Sequence, residues 1–506
     1  MSPGTGVVAI AVVVLATVLI AVHGLRLSRT TGDFYVASRT VRPWWNASAI
    51  GGEYLSAASF LGIAGLIVVS GQDALWFPIG YTAGYLMLLL FVAAPLRRSG
   101  AYTLPDFAQI RLDSRIARLA TSLLVVVVGW LYIVPQLHGA ALTLAITTGL
   151  PGWLGAGLVM AVVYLTVVAG GMRSITFVQA FQFWLKLGAL AVPTVFVLLQ
   201  LGLSGRSATG NGLAFDLPQA ALGQSGIYAT ISLIVALLFG TLGLPHVLVR
   251  FYTNPDGASA RRTTAIVLGL LSMFYLFPTI LGVLGRVYLP ELAVQGNADA
   301  TVLLLPARVV GGTAGNLLTA LVIGGAFAAF MSTTSGLVVS LAGVMSQDLF
   351  GGTVRGFRSS ALLASAVPLL LALGTSTLAL AGAIGSVFAF TASTICPLLL
   401  LGIWWRGLTA AGAVAGMVSG AVGCAAAMFT ASAFPDLPGL LRDLATQPAA
   451  WTVPLAFVVT VLVSLATRGP DSAATTAVMT RLHAPERGLA DPRAGRRQVA
   501  PSRWRP

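Results

Sequence analysis

Long apolar stretches recur along the chain between short polar turns, and each can cross roughly 30 Å of hydrocarbon as a helix. They predict thirteen spans, over residues 5–25, 44–70, 75–96, 116–148, 152–170, 174–203, 225–249, 262–289, 314–348, 358–375, 376–403, 407–431 and 449–467. The expected fold class is an all-α polytopic membrane protein. The segment after 468 is rich in Arg, Pro, Ala and Asp with little apolar content, and is expected to be a disordered cytoplasmic tail, 468–506.

Two spans break their own pattern. In 44–70 the pair Gly51 and Gly52 is followed by Glu53, Tyr54, Leu55 and Ser56, which puts an acid in mid-membrane. In 225–249 the run Gly240, Thr241, Leu242, Gly243, Leu244, Pro245 and His246 cannot all stay helical. Backbone groups freed inside a membrane must line a cavity or an ion site. Each interruption lies in the first helix of a five-helix set, 44–203 and 225–403. An odd number of helices per set forces opposite orientations, so the pattern predicts a five-plus-five inverted repeat with its site near the midplane. Around the repeats stand an extra N-terminal helix and cytoplasmic loop (1–43), an extracellular loop (204–224) and two C-terminal helices (404–467).

Composition agrees with lipid as the solvent. Of 506 residues 57% are hydrophobic and 9% charged, with a mean hydropathy of +0.90. The 57 glycines suit close helix approach, and Gly412, Gly416 and Gly420 at four-residue spacing read as a packing ridge. Cys396 and Cys424 both fall inside apolar spans, which favours core packing over a disulfide or metal site.

The net charge of +14 raises the question of nucleic acid, and the placement of the charge answers it. Apart from Arg206, Arg286, Arg308, Arg442 and Lys186, the 29 basic residues fall in alternate loops and the tail. That bias sets topology in the plasma (inner) membrane: N-terminus outside, C-terminus cytoplasmic, no nucleic-acid partner. The first helix has no basic stretch ahead of it and Arg residues after it, so it reads as retained rather than as a cleaved signal. No HExxH, paired-His carboxylate site or Walker loop is present, which argues against an enzyme.

Three stretches carry a family resemblance. Glu53 to Ile63 (EYLSAASFLGI), Gly240 to Thr253 (GTLGLPHVLVRFYT), and Gly170-Gly171-Met172 with Phe177-Val178-Gln179 resemble the sodium:solute symporter family, and within it the cation/acetate, or monocarboxylate, branch. The resemblance runs from about residue 30 to 470. It implies a thirteen-helix carrier working by alternating access, with sodium as coupling ion, a small monocarboxylate such as acetate, pyruvate or propionate as substrate, and no further cofactor. Proton coupling, or sodium symport of a neutral proline- or sugar-like solute, is the alternative.

The family's sodium site lies between the broken first helix and the third helix of the second repeat. On the latter, Ala329, Ser332 and Thr333 stand at i, i+3 and i+4, so one carbonyl and two hydroxyls can converge. Carried over by resemblance, the carbonyls of Gly52 and Leu55 complete the set. Ser332 and Thr333 could instead bond back to the preceding turn. For the carboxylate, the breaks offer backbone N–H groups, with Tyr54, Ser56, Gly240 and Thr241 as side-chain or close-approach partners and Gln179, where other branches place an acid, beside them. Glu53 can tune the ion site, carry a proton, or bond unwound backbone. Lys186, an intramembrane cation on the face of Gln179, is a coupling candidate or a snorkelling chain. His246 can cap the broken helix.

Overall fold

The computed structural model describes residues 3–25, 41–203, 226–375, 380–469 and 473–484, and every regular element among them is a helix. Twelve helical stretches are long and apolar enough to span a membrane. One of them, 58–98, has 41 residues, about 60 Å as a straight helix and twice the hydrocarbon thickness. It is divided at Gly71, whose φ of 63° ends the helix Ile63–Ser70 before a short 3-10 turn and the helix Trp76–Met87. With that division the stretch holds the later part of the predicted span 44–70 and the whole of 75–96.

The predicted spans 152–170 and 174–203 are two helices that adjoin within Gly152–Leu203 and are parted by the non-helical Gly171 (φ 57°, ψ −162°). Glycine tolerates that geometry because it has no Cβ. Two breaks appear where the sequence forecasts them. Helix Pro43–Tyr54 stops at Leu55 (ψ 86°), and helix Gly226–Gly243 is parted from Pro245–Phe251 by extended Leu244 (φ −68°, ψ 113°). Pro245 lacks the N–H that would continue the first helix and begins the second.

The repeats pack in corresponding ways. Pro43–Tyr54, first in its set, meets the part of Gly152–Leu203 after Gly171, last in that set, with Gly51 against Phe183 and Gly52 against Gln179; Gly226–Gly243 lies along Leu380–Trp404 in the same relation. Helix Gly312–Leu349 runs through the centre, against Arg115–Thr148, Gly152–Leu203, Val354–Gly374 and Pro3–Leu25. It is buried without interruption from Val322 to Ser346, which explains its small and apolar residues on every face. The glycine ridge is also realised: Gly412, Gly416 and Gly420 lie so close to Ser464, Thr460 and the Ser393 carbonyl that a Cβ would collide.

Several elements depart from expectation. Short helices Leu104–Leu112, Thr301–Val309 and Gly439–Thr446 occupy connections that read as loops, because each is too short or polar to register as a span. The first is set by a capping box between Thr103 and Asp106. The tail is a second correction: Ala473–His483 is a helix with Met479 and Leu482 buried. Arg98 Nη1 donates to the carbonyls of Leu482 and His483 at 3.5 and 3.4 Å. The loop 204–224, most of the connection before residue 41, and the tail after 484 lie outside the described residues.

Candidate functional site

The first break is held open by side chains. Leu55 N–H still bonds Gly51 O, but Ala57 N–H donates to Gln136 Oε1 at 2.8 Å from helix Arg115–Thr148. The carbonyls just before the gap therefore lack helical donors and face inward. Ser332 donates to Gly52 O, and Thr333 Oγ1 donates to Glu53 O at 2.6 Å. A carbonyl can only accept, so both hydroxyls direct their protons across to the broken helix rather than back to their own preceding turn.

The ammonium of Lys186 enters the same place. It donates to Gly52 O, and to Leu55 O at 2.8 Å, and its side chain is 0% exposed. Lys186 thus does not snorkel. Gly52, Leu55, Ser332 and Thr333 are brought together as the sequence suggests, with Ala329 buried one turn away, but Lys186 is among them.

Beside it lies an ion pair that sequence reasoning missed. Arg250 Nε donates to Glu53 Oε2 at 2.7 Å, with both side chains 1% exposed. Arg250 also donates to Thr176 Oγ1 at 2.7 Å and to Gln179 Oε1, while Gln179 Nε2 donates to Ser332 O at 2.8 Å. Arg250, read from sequence as a cytoplasmic loop charge, is instead inside the protein. The signal was its setting in Val247-Leu248-Val249-Arg250-Phe251, a cation within an apolar run. Gln179, expected at the substrate, belongs to this network. Desolvating these ions is costly, and the hydrogen bonds that Arg250 donates through all three of its nitrogens are what make the arrangement tenable.

The second group of polar atoms lies between the two breaks. Tyr54 Oη meets Thr241 Oγ1 at 3.2 Å, joining the half-helices, and Thr241 also donates to Leu237 O. Gly240 is pressed against the Phe388 backbone. Around Tyr54 stand Tyr81 and Tyr85, with ring centres 5.9 and 4.5 Å away. Tyr81 also stacks on Tyr275 and meets Phe388 edge-on. His246 sits 5.1 Å from the Tyr132 ring. All are buried, as is Ser56 at the gap. The hydroxyls of Tyr81 and Tyr85, both nitrogens of His246, and Glu53 Oε1 have no hydrogen-bond partner in the protein. His246 therefore does not cap the half-helix. Orphaned buried polar atoms are rare in folded proteins, and here they cluster where two interrupted helices meet. No group of His, Cys, Asp and Glu able to hold a metal is present among the described residues.

Known proteins share this plan. The model of the sodium:solute symporter family matches residues 34–420. A monocarboxylic acid transporter of Corynebacterium glutamicum is 28% identical over 504 residues, covering 90% of each chain. An uncharacterised symporter, YwcA of Bacillus subtilis, is 30% identical over 424 residues, covering 80% of this chain and 82% of the relative. Among solved structures, a sodium-coupled sialic acid symporter superposes with TM-score 0.67 at 16% identity, over 90% of this chain and 98% of its own. Mhp1, a nucleobase-cation-symport-1 family transporter, superposes with TM-score 0.51 at 17% identity, over 88% and 98%. These neighbours carry the same inverted-repeat fold, they are transporters and not enzymes, and the family match covers most of the chain. The chain belongs to the sodium:solute symporter family.

Proposed function

We propose that this symporter carries a small monocarboxylate, of the size of acetate, propionate or pyruvate, together with a cation, and that family membership supports sodium as that cation. The observation that carries the substrate class is the balance of ionisable side chains: Lys186 and Arg250 are both buried beside the broken helix Pro43–Tyr54, against the acid Glu53. Two basic groups set against one acid favour an anion over a neutral solute. The hydroxyls of Tyr81 and Tyr85 are donors without partners, suited to a carboxylate or keto oxygen. The ring faces of Tyr54, Tyr81 and Phe388 suit a short apolar tail. The named monocarboxylic acid transporter, similar over nearly the whole chain, supports the same reading.

The test is uptake of labelled acetate, propionate and pyruvate into proteoliposomes under imposed sodium or proton gradients, with proline and glucose as neutral controls. Saturable uptake of the acids and not of the controls is expected. Uptake of a neutral solute alone would replace the carboxylate reading. The proposed orientation, with the N-terminus outside and the C-terminus in the cytoplasm, is checked by labelling single cysteines at the two ends from either face.

A further inference from the structure

The place expected to hold sodium is a cradle of oxygens: the Gly52 and Leu55 carbonyls exposed by the broken helix, with the Ser332 hydroxyl across from them. A sodium ion there needs those two carbonyls as ligands. Both are engaged by one ammonium, which is fully buried. The amine reaches them because Lys186 stands seven residues after Gln179, so it shares the helix face that meets the break. An ammonium and a sodium ion carry the same charge and seek the same oxygen ligands. Two such cations on one carbonyl pair would repel strongly in a low-dielectric interior, and the space between the carbonyls is already filled.

We infer that Lys186 is a tethered cation that permanently occupies the cradle of Gly52 and Leu55, so that this chain binds no sodium on those carbonyls and any sodium it carries is bound elsewhere. The lysine does structurally what a bound ion would do: it bridges the last turn before the break to the residue inside it and fixes the gap against its own helical run, Gly152–Leu203. The cradle's hydroxyls agree with this role. Ser332 and Thr333 donate their protons to Gly52 O and Glu53 O and so hold the carbonyls in place around the amine. Glu53 accepts from Arg250, and its other oxygen has no hydrogen-bond partner, so the amine's direct hydrogen-bond partners are main-chain oxygens.

The inference concerns the same site as the proposed symport but does not depend on the substrate, because its test contains no organic acid. Binding of radioactive sodium to purified protein is measured for the unaltered chain, for Lys186→Met and for Lys186→Met/Ser332→Ala. Methionine keeps most of the stem and ends short of the nitrogen, which opens a space of ionic size beside the carbonyls. The unaltered chain is expected to show no sodium site that Ser332→Ala alters. Lys186→Met is expected to bind sodium at least about tenfold more tightly, and the added Ser332→Ala to remove the gain. Lys186→Ala serves the same purpose if the methionine variant does not yield monodisperse protein. Saturable sodium binding by the unaltered chain that Ser332→Ala abolishes would overturn the inference without any variant at Lys186. So would a well-folded Lys186→Met protein that gains no sodium binding.

Discussion

Arg250 and Glu53, almost two hundred residues apart, meet at 2.7 Å in the interior and join the half-helix after the second break to the half-helix before the first. The two repeats are thereby coupled at their weakest points, where the backbone lacks its own hydrogen bonds. Removing one partner leaves the other charged and buried. Arg250→Met is expected to cost about 3–5 kcal/mol and to abolish uptake. Glu53→Gln/Arg250→Met should recover thermal stability in detergent relative to Arg250→Met without recovering transport. Equal melting temperatures for the single and double variants would show that the pair does not act as a unit.

Tyr81 and Tyr85 present hydroxyls with no partner in the protein. Tyr81→Phe and Tyr85→Phe remove a buried polar group while keeping the ring packing around Tyr54. Folding should be unchanged or slightly improved. The substrate KM should rise by roughly fivefold to thirtyfold, the worth of about 1–2 kcal/mol for one hydrogen bond to a charged ligand. An unchanged KM in both variants would remove these hydroxyls from the binding site.

Gly336 lies directly against the Glu53 carboxyl, so a Cβ there would collide with it. Gly336→Ala should push Glu53 off Arg250 and cost about 1–3 kcal/mol through overpacking. Uptake should fall with it. The melting temperature of purified protein and the initial uptake rate are the two readings, and a variant with native values for both would mean that the ion pair tolerates displacement.

Asp256 caps helix Gly257–Tyr288 by accepting from Ser259 N–H at 2.6 Å. That bond holds its carboxyl below the ordinary carboxylate range. A depressed folded value contributes stability above the unfolded pKa of about 3.9, and the contribution is lost as pH falls through the folded value. Asp256→Ala should lower stability by about 1 kcal/mol. Asp256→Asn should keep the cap but lose this pH dependence, seen as a flatter melting temperature from neutral to acid pH.

Much of this architecture is legible in the chain. Apolar length reveals the spans, and Gly52 to Ser56 and Gly243 to His246 reveal the breaks, because glycine and proline leave marks that do not depend on tertiary context. Lys186 and Glu53 stand out as ions where lipid should be. Arg250 does not, since an arginine near a helix end reads as a topological charge until the half-helix is seen to turn inward. The tyrosines at 54, 81, 85, 132 and 275 are each ordinary members of apolar helices. Their convergence is a property of how distant helices cross, which periodicity within any one helix does not encode. Helix Thr301–Val309 was hidden for a simpler reason: nine residues cannot cross a membrane.

The C-terminal helix Ala473–His483 bears on how the protein is handled. It buries Met479 and Leu482, its end receives hydrogen bonds from Arg98, and His483 stacks edge-on against Trp404. A reporter or affinity tag joined just after residue 466, where hydropathy suggests the folded body is complete, would amputate a strut from the face it shares with Ala93–Arg98 and Leu104–Leu112. Fusions belong beyond residue 484, where they leave that strut whole.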